Sequence, residues 1–540
     1  MSRTRTIMVM VGIMVGMLLA AIDQTVVGTA MPRIIADLNG LQHYAWVFTA
    51  YMLTSTVMVP IYGKLSDIYG RRPFFLAGIV IFLIGSALSG LSQDMTQLII
   101  FRGIQGLGAG AMMPISQAII GDLFTPAERG KWQGIMMAVF GLATITGPTI
   151  GGLITDNWGW HWVFYVNMPI GILALLTAGL AMPALSSHRE HTIDYFGAAT
   201  LVAGTTPLLL AFSWAGGQYE WLSVQIIGLL AVSLVMFVAF YLIVMRSPEP
   251  IISPRLFNNS IFSVSIITTF LVSVGMFGAI MYLPLFVQGA LGISATNSGA
   301  ILTPMMLGVM ASSIMGGQLL ARTGRYKVLA LGSFVVAGVG MFLLSTMTIA
   351  TSQNEIIRNM VIVGLGMGVT MSLFTVVVQN AFPPRQLGEV TASLAFFRSI
   401  GGTIGVAILG SVMANRFSSA LQGNIPDQLK AIIPPSQLAA LENPEVLLSP
   451  ETTVRIQQGF AAMGPQGQAI FQQLMTAIQS SLASAISGLF MVSVSAMALA
   501  FVATLFLREI PLRKTHHDVP LAVESLEALS TESVDTEAEE

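Results

Sequence analysis

The sequence Gly63-Lys64-Leu65-Ser66-Asp67-Ile68-Tyr69-Gly70-Arg71-Arg72-Pro73 separates two long apolar runs. Its glycines allow a tight turn and a close approach of two helices. Its basic residues favour the cytoplasmic face of a membrane. We therefore predict a short loop between two membrane-spanning helices, with Asp67 near the positive end of a helix.

The composition of the chain excludes a water-soluble enzyme. Of the 540 residues, 54% are apolar and only 9% are charged, whereas a soluble chain carries about a quarter charged residues. There is no cysteine, and the six histidines are scattered, so neither a cofactor nor a metal centre is expected. A formal net charge of −2 gives no field to attract nucleic acid. An all-α integral membrane protein in contact with the lipid bilayer is predicted.

Fourteen apolar runs are long enough to cross a bilayer as helices, which takes about 20 residues each. They extend from Ile7–Ala30 to Leu482–Leu507. The first run is too long for a secretory signal, so we expect an uncleaved span. With both termini inside, inner segments hold 17 basic residues and outer loops five. This asymmetry predicts a plasma (inner) membrane protein with cytoplasmic N- and C-termini.

An internal repeat divides the chain into two halves. The sequence Gly147-Pro148-Thr149-Ile150-Gly151 returns 254 positions later as Gly401-Gly402-Thr403-Ile404-Gly405. We predict an N-terminal six-helix half (1–185), two inserted helices (186–255) and a C-terminal six-helix half (256–510). Two such halves around a midplane site are the architecture of a secondary transporter.

Two polar segments are expected outside the bilayer. Residues 415–481, between spans 13 and 14, contain six prolines and stretches with helical spacing, which predicts a helical hairpin on the outer side. Residues 511–540 form an acidic cytoplasmic tail that is expected to be disordered. A partner-binding function of that tail stays open.

The 63–73 loop, with Gly63, Asp67, Gly70, Arg71 and Arg72, resembles the signature loop of the major facilitator superfamily. The resemblance implies that the loop is a conformational lock, in which Asp67 holds the two halves together in the outward-facing state. The alternative is a basic loop that only sets the topology. In the second copy, Ala321 and Tyr326 replace Asp67 and Arg72, so any lock belongs to the first half.

Span 5 carries a glycine-rich pattern that resembles the antiporter motif of this superfamily. Small residues at helical spacing let two helices approach, and proline creates a bend; a plain packing face is the alternative reading. Together with fourteen spans and the sequence from Trp160 to Gly171, the pattern resembles the fourteen-span drug:proton antiporter branch. The antiporter-motif residues are Gly141, Gly147, Pro148, Gly151 and Gly152.

Charges at membrane depth need a physical reason because each costs several kcal/mol, roughly 2.5–3.5 on insertion scales. Asp23 is the acid well inside a span, and Arg102 lies at a similar depth. We predict that this pair couples transport to protons, Asp23 being the protonation site; a static ion pair is the alternative. The 254-residue offset maps Asp23 to Phe277 and Arg102 to Ile356, so the second half has no matching carboxylate.

Three further charges are assigned by their position. Arg398 has no evident acidic partner, and a bond to backbone carbonyls and a substrate contact remain equal alternatives. Glu389 is expected to be a solvated loop charge. Asp122 is expected to pair with the neighbouring loop.

The predicted function is proton-coupled efflux of small amphipathic, often cationic, drugs by alternating access. No ATP-binding loop is found, and one buried carboxylate suits a proton better than sodium. A monomer is expected. The alternative cargo is a lipid or another endogenous amphiphile; an enzyme or a channel is disfavoured because no reactive cluster or polar ring is found. The candidate substrate-lining residues are Gln24, Tyr51, Gln105, Met113, Met276, Phe277, Phe374 and Arg398.

Overall fold

The computed structural model describes residues 3–38, 44–183, 193–216, 218–291, 295–425, 458, 460 and 464–512. Within these ranges the chain is helical apart from turns and one isolated bridge between Ala215 and Tyr219. The helices are α1 (Arg3–Leu38), α2 (Tyr44–Tyr69), α3 (Arg71–Gly90), α4 (Met95–Leu123), α5 (Pro126–Trp158), α6 (His161–Tyr165), α7 (Asn167–Ala181), α8 (Tyr195–Trp214), α9 (Val224–Val244), α10 (Ser260–Leu285), α11 (Ala295–Thr323), α12 (Tyr326–Ser345), α13 (Gln353–Ala381), α14 (Leu387–Asn424) and α15 (Gly464–Leu505).

The helices fit fourteen membrane spans. Thirteen helical segments of the described ranges are long and apolar enough to cross a bilayer, with α6 and α7 together making one of them. Helix α2, with 26 residues, completes the set, so the predicted all-α fold with fourteen spans is confirmed. Helix α9 has only 11% of its most apolar window buried against the protein, as expected for a helix that faces lipid on most sides.

Packing separates two six-span halves and places the inserted pair at their border. One large apolar cluster comes from α10–α15, and two smaller ones come from α1–α7. A fourth cluster joins Val59 of α2 and Leu201 of α8 to Phe396 of α14. Helix α8 therefore covers the seam between the two halves beside α2 and α14.

Equivalent glycine contacts recur in both halves and give the repeat its exact register. In the first half Gly106 of α4 lies against Tyr51 of α2; in the second, Gly364 of α13 lies against Met305 of α11. An added methyl group would collide with backbone atoms at both glycines. Position 364 follows position 106 by 258 residues, whereas position 305 follows position 51 by 254.

The 254-residue offset that maps Asp23 to Phe277 and Arg102 to Ile356 therefore does not hold for α1 with α10 or for α4 with α13. An offset of 258 places Met360, not Ile356, at the position of Arg102. Gly151 of α5 packs on Val26 of α1, and Gly405 of α14 packs on Val274 of α10. This register makes Leu271, not Phe277, the residue of α10 that is equivalent to Asp23 in the repeat. Both counterparts are apolar, so the absence of a second-half match stands.

The helices on either side of the predicted outer hairpin are longer than expected. Helix α14 continues to Asn424 and α15 begins at Gly464, and Asn424 Nδ2 donates to Ser481 Oγ at 3.0 Å. Residues 415–424 and 464–481 are thus extensions of two membrane helices, and the rest of the predicted hairpin falls mainly on residues outside the described ranges. Residues 426–457 and the acidic tail from 513 onward lie outside the described residues.

Candidate functional site

A buried polar cluster surrounds Asp23 in the first half. Arg102 Nη1 donates to Asp23 Oδ2 at 2.6 Å, and Gln105 Nε2 and Asn167 Nδ2 each donate to Asp23 Oδ1 at 2.8 Å. Asp23, Arg102, Gln105 and Asn167 have no exposed surface. Helices α1, α4 and α7 therefore converge on one carboxylate, and both of its oxygens accept charge-assisted or amide hydrogen bonds.

Short local contacts hold the partners of Asp23 in place. Gly85 of α3 lies so close to the Gln105 backbone that a side chain would not fit, which brings α3 against α4. Ser86, one residue later, donates to the Phe164 carbonyl at 2.9 Å and accepts from Asn167 Nδ2 at 3.0 Å. The orientation of the Asn167 amide is thus fixed by α3 and by the break between α6 and α7.

Arg102 is held by an aromatic face as well as by the carboxylate. Its guanidinium carbon lies 4.3 Å from the centre of the Tyr51 ring, a favourable cation–π distance. Nη1 also donates to Gln105 Oε1 at 2.6 Å, while Nε and Nη2 are buried without a partner among the described residues. The guanidinium therefore depends on Asp23 for its charge compensation.

The glycines of the antiporter-like pattern differ in what they contact. Gly147 and Gly151 of α5 lie directly against Thr25 and Thr29 of α1, and Thr25 Oγ1 donates to the Ala143 carbonyl at 3.3 Å. An added Cβ atom at Gly141 would be near Met306 of α11, whereas at Gly152 nothing lies within 4 Å of the position such an atom would take. Pro148 lies inside α5. Two of the four glycines thus bring α5 against the helix that carries Asp23.

The segment 63–73 joins the two halves at one end of the bundle, which we call the lock side. It is helical except at Gly70, as the end of α2 and the start of α3, so the predicted short loop is a one-residue break between two helices. Asp67 accepts hydrogen bonds from the backbone N–H groups of Gly388 and Glu389 at 2.9 and 2.6 Å, so its carboxylate lies at the positive N-terminus of α14. Arg71 bridges Asp67 at 2.5 Å and Asp122 at 2.9 Å. Burial raises the pKa of the Asp67 carboxyl, and Arg71 with the two backbone donors opposes that rise.

A second ion pair crosses the same seam. Lys64 Nζ lies 3.2 Å from Glu389 Oε2, and Glu389 Oε1 accepts from the Ser253 N–H at 2.7 Å. Glu389 is only 4% exposed, so the expectation that it is a solvated loop charge is wrong. The expected pairing of Asp122 with the loop is confirmed by its bond to Arg71.

The remaining loop residues act within the first half. Gly70 has a φ of 93° and precedes α3, a backbone conformation that favours glycine. Arg72 Nη2 donates to the Gly179 carbonyl of α7 at 2.6 Å. Gly63 packs against Gly388 and Ala392 of α14 without room for a side chain, so the close approach expected of this glycine is observed across the seam.

The candidate substrate-lining residues fall into three groups. Met276, Phe374 and Arg398 share one cavity in the second half. Gln24 is exposed, and its amide points to the Met52 sulfur 3.9 Å away; Met113 and Phe277 are half-buried. Tyr51 and Gln105 depart from the expected position because both are buried in the Asp23 cluster. Substrate contact by any of these residues stays a prediction.

Two members of the cluster escaped the sequence reasoning. Asn167 lies inside the Trp160–Gly171 motif, which could have drawn attention to it, but its contact with Asp23 depends on the break between α6 and α7. Ser86 carries no signal at all, since a serine in an apolar helix is commonplace. Only the fold brings Asn167 to the carboxylate and Ser86 to Asn167.

Fold and site together define a multi-pass membrane transporter built from two similar halves. The family model for the Major Facilitator Superfamily matches residues 13–406. The chain belongs to this superfamily and is a transporter, not an enzyme, with the lipid bilayer as its surroundings and small molecules as its cargo.

Named relatives and solved structures agree with this family. The chain is 40% identical to the multidrug transporter protein MdtP of Bacillus subtilis over 521 residues, 94% of each chain. It is 44% identical to multidrug resistance protein 3 of the same organism over 76% of this chain and 80% of that protein. The crystal structure of the human organic anion transporter MFSD10 (TETRAN) matches with a TM-score of 0.60 at 15% identity, covering 92% and 100% of the two chains. The last likeness concerns the fold alone.

Proposed function

We propose that this chain is a proton-coupled exporter of small amphipathic compounds that works by alternating access. The observation that carries the proposal is the Asp23 carboxylate, fully buried and bound by donors from two other helices. The names of the two Bacillus subtilis relatives support drug efflux as the direction and cargo class. The excess of basic residues on the lock side supports a cytoplasmic position for that side and for both termini.

The coupling follows from what a proton does to the cluster. A neutral Asp23 no longer balances the charge of Arg102, and a buried charge that loses its partner costs about 3–5 kcal/mol. The protonated cluster therefore relaxes by moving α1 away from α4 and α7, and the deprotonated cluster draws them together again. The free energy that is lost when Arg102 has no charged partner therefore links proton binding to helix movement.

The contacts on the lock side identify one of the two conformations between which the protein alternates. Here Asp67 and Glu389 hold α2 and α14 together, so the proposed cytoplasmic entrance is closed. Opening it breaks these charged contacts, and the cost must be met by cargo binding or proton transfer. A static Asp23–Arg102 pair that only holds α1 and α4 together is the competing reading of the same contacts.

The test uses energised inverted membrane vesicles that contain the protein. Addition of an amphipathic dye should release protons from the vesicle interior and load the dye, and a protonophore should abolish both signals. Vesicles with an Asp23→Asn protein serve as the matched control. Transfer of a fluorescent lipid without any response to dyes would favour a lipid exporter instead and would contradict drug efflux.

A further inference from the structure

A small cavity in the second half contains an arginine that lacks an anionic partner. Arg398 of α14 is 8% exposed, and its Nη2 reaches the Met371 carbonyl only at 3.5 Å. Its Nη1 is buried and has no hydrogen-bond partner among the described residues. The cavity is lined by α10, α13 and α14 through Thr269, Val272, Ser273, Met276, Thr370, Met371, Phe374 and Arg398.

The contrast with Arg102 shows why this arginine calls for a ligand. Arg102 has the Asp23 carboxylate at 2.6 Å, whereas no described carboxylate lies within ion-pair distance of Arg398. An unpaired charge in a low-dielectric interior is costly. The Thr269 hydroxyl, which lines the same cavity, is also buried without a partner in the described part of the chain, so two unsatisfied polar groups line one cavity.

The chemistry of the lining specifies an acidic group. A guanidinium binds carboxylates and similar oxyanions through paired N–H donors, and the free Thr269 hydroxyl adds a donor. The hydroxyls of Ser273 and Thr370 already donate to backbone carbonyls. Val272, Met276 and Phe374 form an apolar wall, but the cavity has a volume of only about 10 Å³ in this structure, so it must widen before it can take the remainder of an amphipathic molecule.

The depth of the cavity shows where such a group would come from. Arg398 lies eleven residues after Leu387, the first residue of α14, which is about 16 Å along the helix. The hydrocarbon core is about 30 Å thick, so the guanidinium is near its middle, far from lipid head groups and from soluble anions. An acidic group reaches this depth as part of a transported molecule.

We propose that Arg398 and Thr269 bind the acidic group of the cargo, and that this exporter takes amphipathic acids and zwitterions. The inference rests on the proposed export function and names its substrate class. It differs from the expectation of cationic cargo because the acid of the first half is already neutralised by Arg102, whereas the charge that lacks a partner in the second half is positive.

The experiment compares two dyes that differ in one charge, rhodamine B and its methyl ester, in energised inverted vesicles. Arg398→Gln should raise the half-saturation concentration for the acid about tenfold or more, the usual effect of losing a charged hydrogen bond, and leave the ester unchanged. Arg398→Lys should restore part of the affinity for the acid. Arg416→Gln, at an exposed position of the same helix, is the matched control and should leave both dyes unchanged.

A near-isosteric variant guards against misfolding. Thr269→Val removes only the hydroxyl and should weaken transport of the acid selectively, about threefold to tenfold. Equal effects of Arg398→Gln and Thr269→Val on both dyes would overturn the proposal, as would export of the ester alone by the unmodified protein. Export of neither dye contradicts the proposed function itself and this inference with it.

Discussion

Asp23 and Arg102 form a neutral pair whose two members depend on each other. Each oxygen of Asp23 is occupied, and the guanidinium lies between the carboxylate and the Tyr51 ring. Because neither residue has exposed surface, water does not compensate for the loss of either charge. The pair is therefore far more sensitive to single substitutions than to a change that neutralises both members.

A double-mutant cycle tests this dependence. Arg102→Gln should lower the free energy of unfolding by about 3–5 kcal/mol because it leaves a buried carboxylate uncompensated. Adding Asp23→Asn should recover most of that loss, since two neutral amides remain. Reversible unfolding in mixed micelles measures both values; additive losses would contradict mutual dependence.

At this scale the sequence predicted the charged residues but not their neutral partners. Asp23 and Arg102 stand out because charges inside apolar helices are rare, and similar depth along their spans suggested contact. Asn167, Gln105 and Tyr51 are ordinary residues whose contribution depends on how α1, α3, α4 and α7 pack. Side-chain partners across helices are not encoded in the spacing along any one helix.

Helix α1 is held between two different surfaces. On one side Gly147 and Gly151 let the α5 backbone touch it, and on the other Arg102, Gln105 and Asn167 bind its carboxylate. The glycine side makes close contact without charged bonds, which suits the movement of α1 that we propose to follow protonation of Asp23. The two surfaces together define how α1 is placed.

The glycine contact makes a prediction with an internal control. Gly151→Ala should destabilise the protein by about 1–3 kcal/mol, because the new methyl group meets the Val26 carbonyl and the Thr29 hydroxyl in an already full interface. Gly152→Ala, where nothing lies within 4 Å, should leave the melting temperature unchanged or slightly raised. Thermal unfolding in detergent checks both, and equal effects would show that the α1–α5 contact is not the cause.

The ends of the helices could be predicted where they coincide with the ends of the apolar runs, but not where packing against another helix extends them. Apolar length located the spans, but α14 and α15 continue beyond the apolar runs because they pack against each other, as the bond between Asn424 and Ser481 shows. The registers of α10 and α13 also depart from a uniform repeat. Small differences in loop length between the halves become visible only when the residues that the equivalent glycines contact are compared.

The two halves meet at two equivalent glycine contacts, and only one of them has an aspartate beside it. Gly63 of α2 packs on Gly388 of α14, and its counterpart Gly317 of α11 packs on Gly130 of α5. Only the first contact has Asp67 beside it; Ala321 occupies the equivalent place at the second. The sequence predicted this asymmetry, since the second copy of the loop lacks the acid. The sequence also predicted that Asp67 lies near a positive helix end, but only the fold shows that this helix is α14 of the other half.

The lock seam can be opened by one methyl group. In Gly388→Ala the new methyl group would meet Arg71, Asp67 and the Gly63 carbonyl, so the closed arrangement should become less populated. Because the chain contains no cysteine, spin labels placed by Tyr69→Cys and Gln386→Cys report the distance across the seam without background. A longer distance is expected for Gly388→Ala. Gly423→Ala, at an open position of α14, should keep the short distance, and identical distributions in both would contradict the lock.

The most direct test separates coupling from transport in proteoliposomes. For Asp23→Asn, and for the charge-neutral Asp23→Asn/Arg102→Gln pair, we expect dye uptake driven by a pH gradient to fall by at least about tenfold. Exchange of dye for dye without a gradient should continue, because the pathway remains intact. Gradient-driven uptake that persists in both folded variants would contradict the assignment of Asp23 as the proton-coupling group.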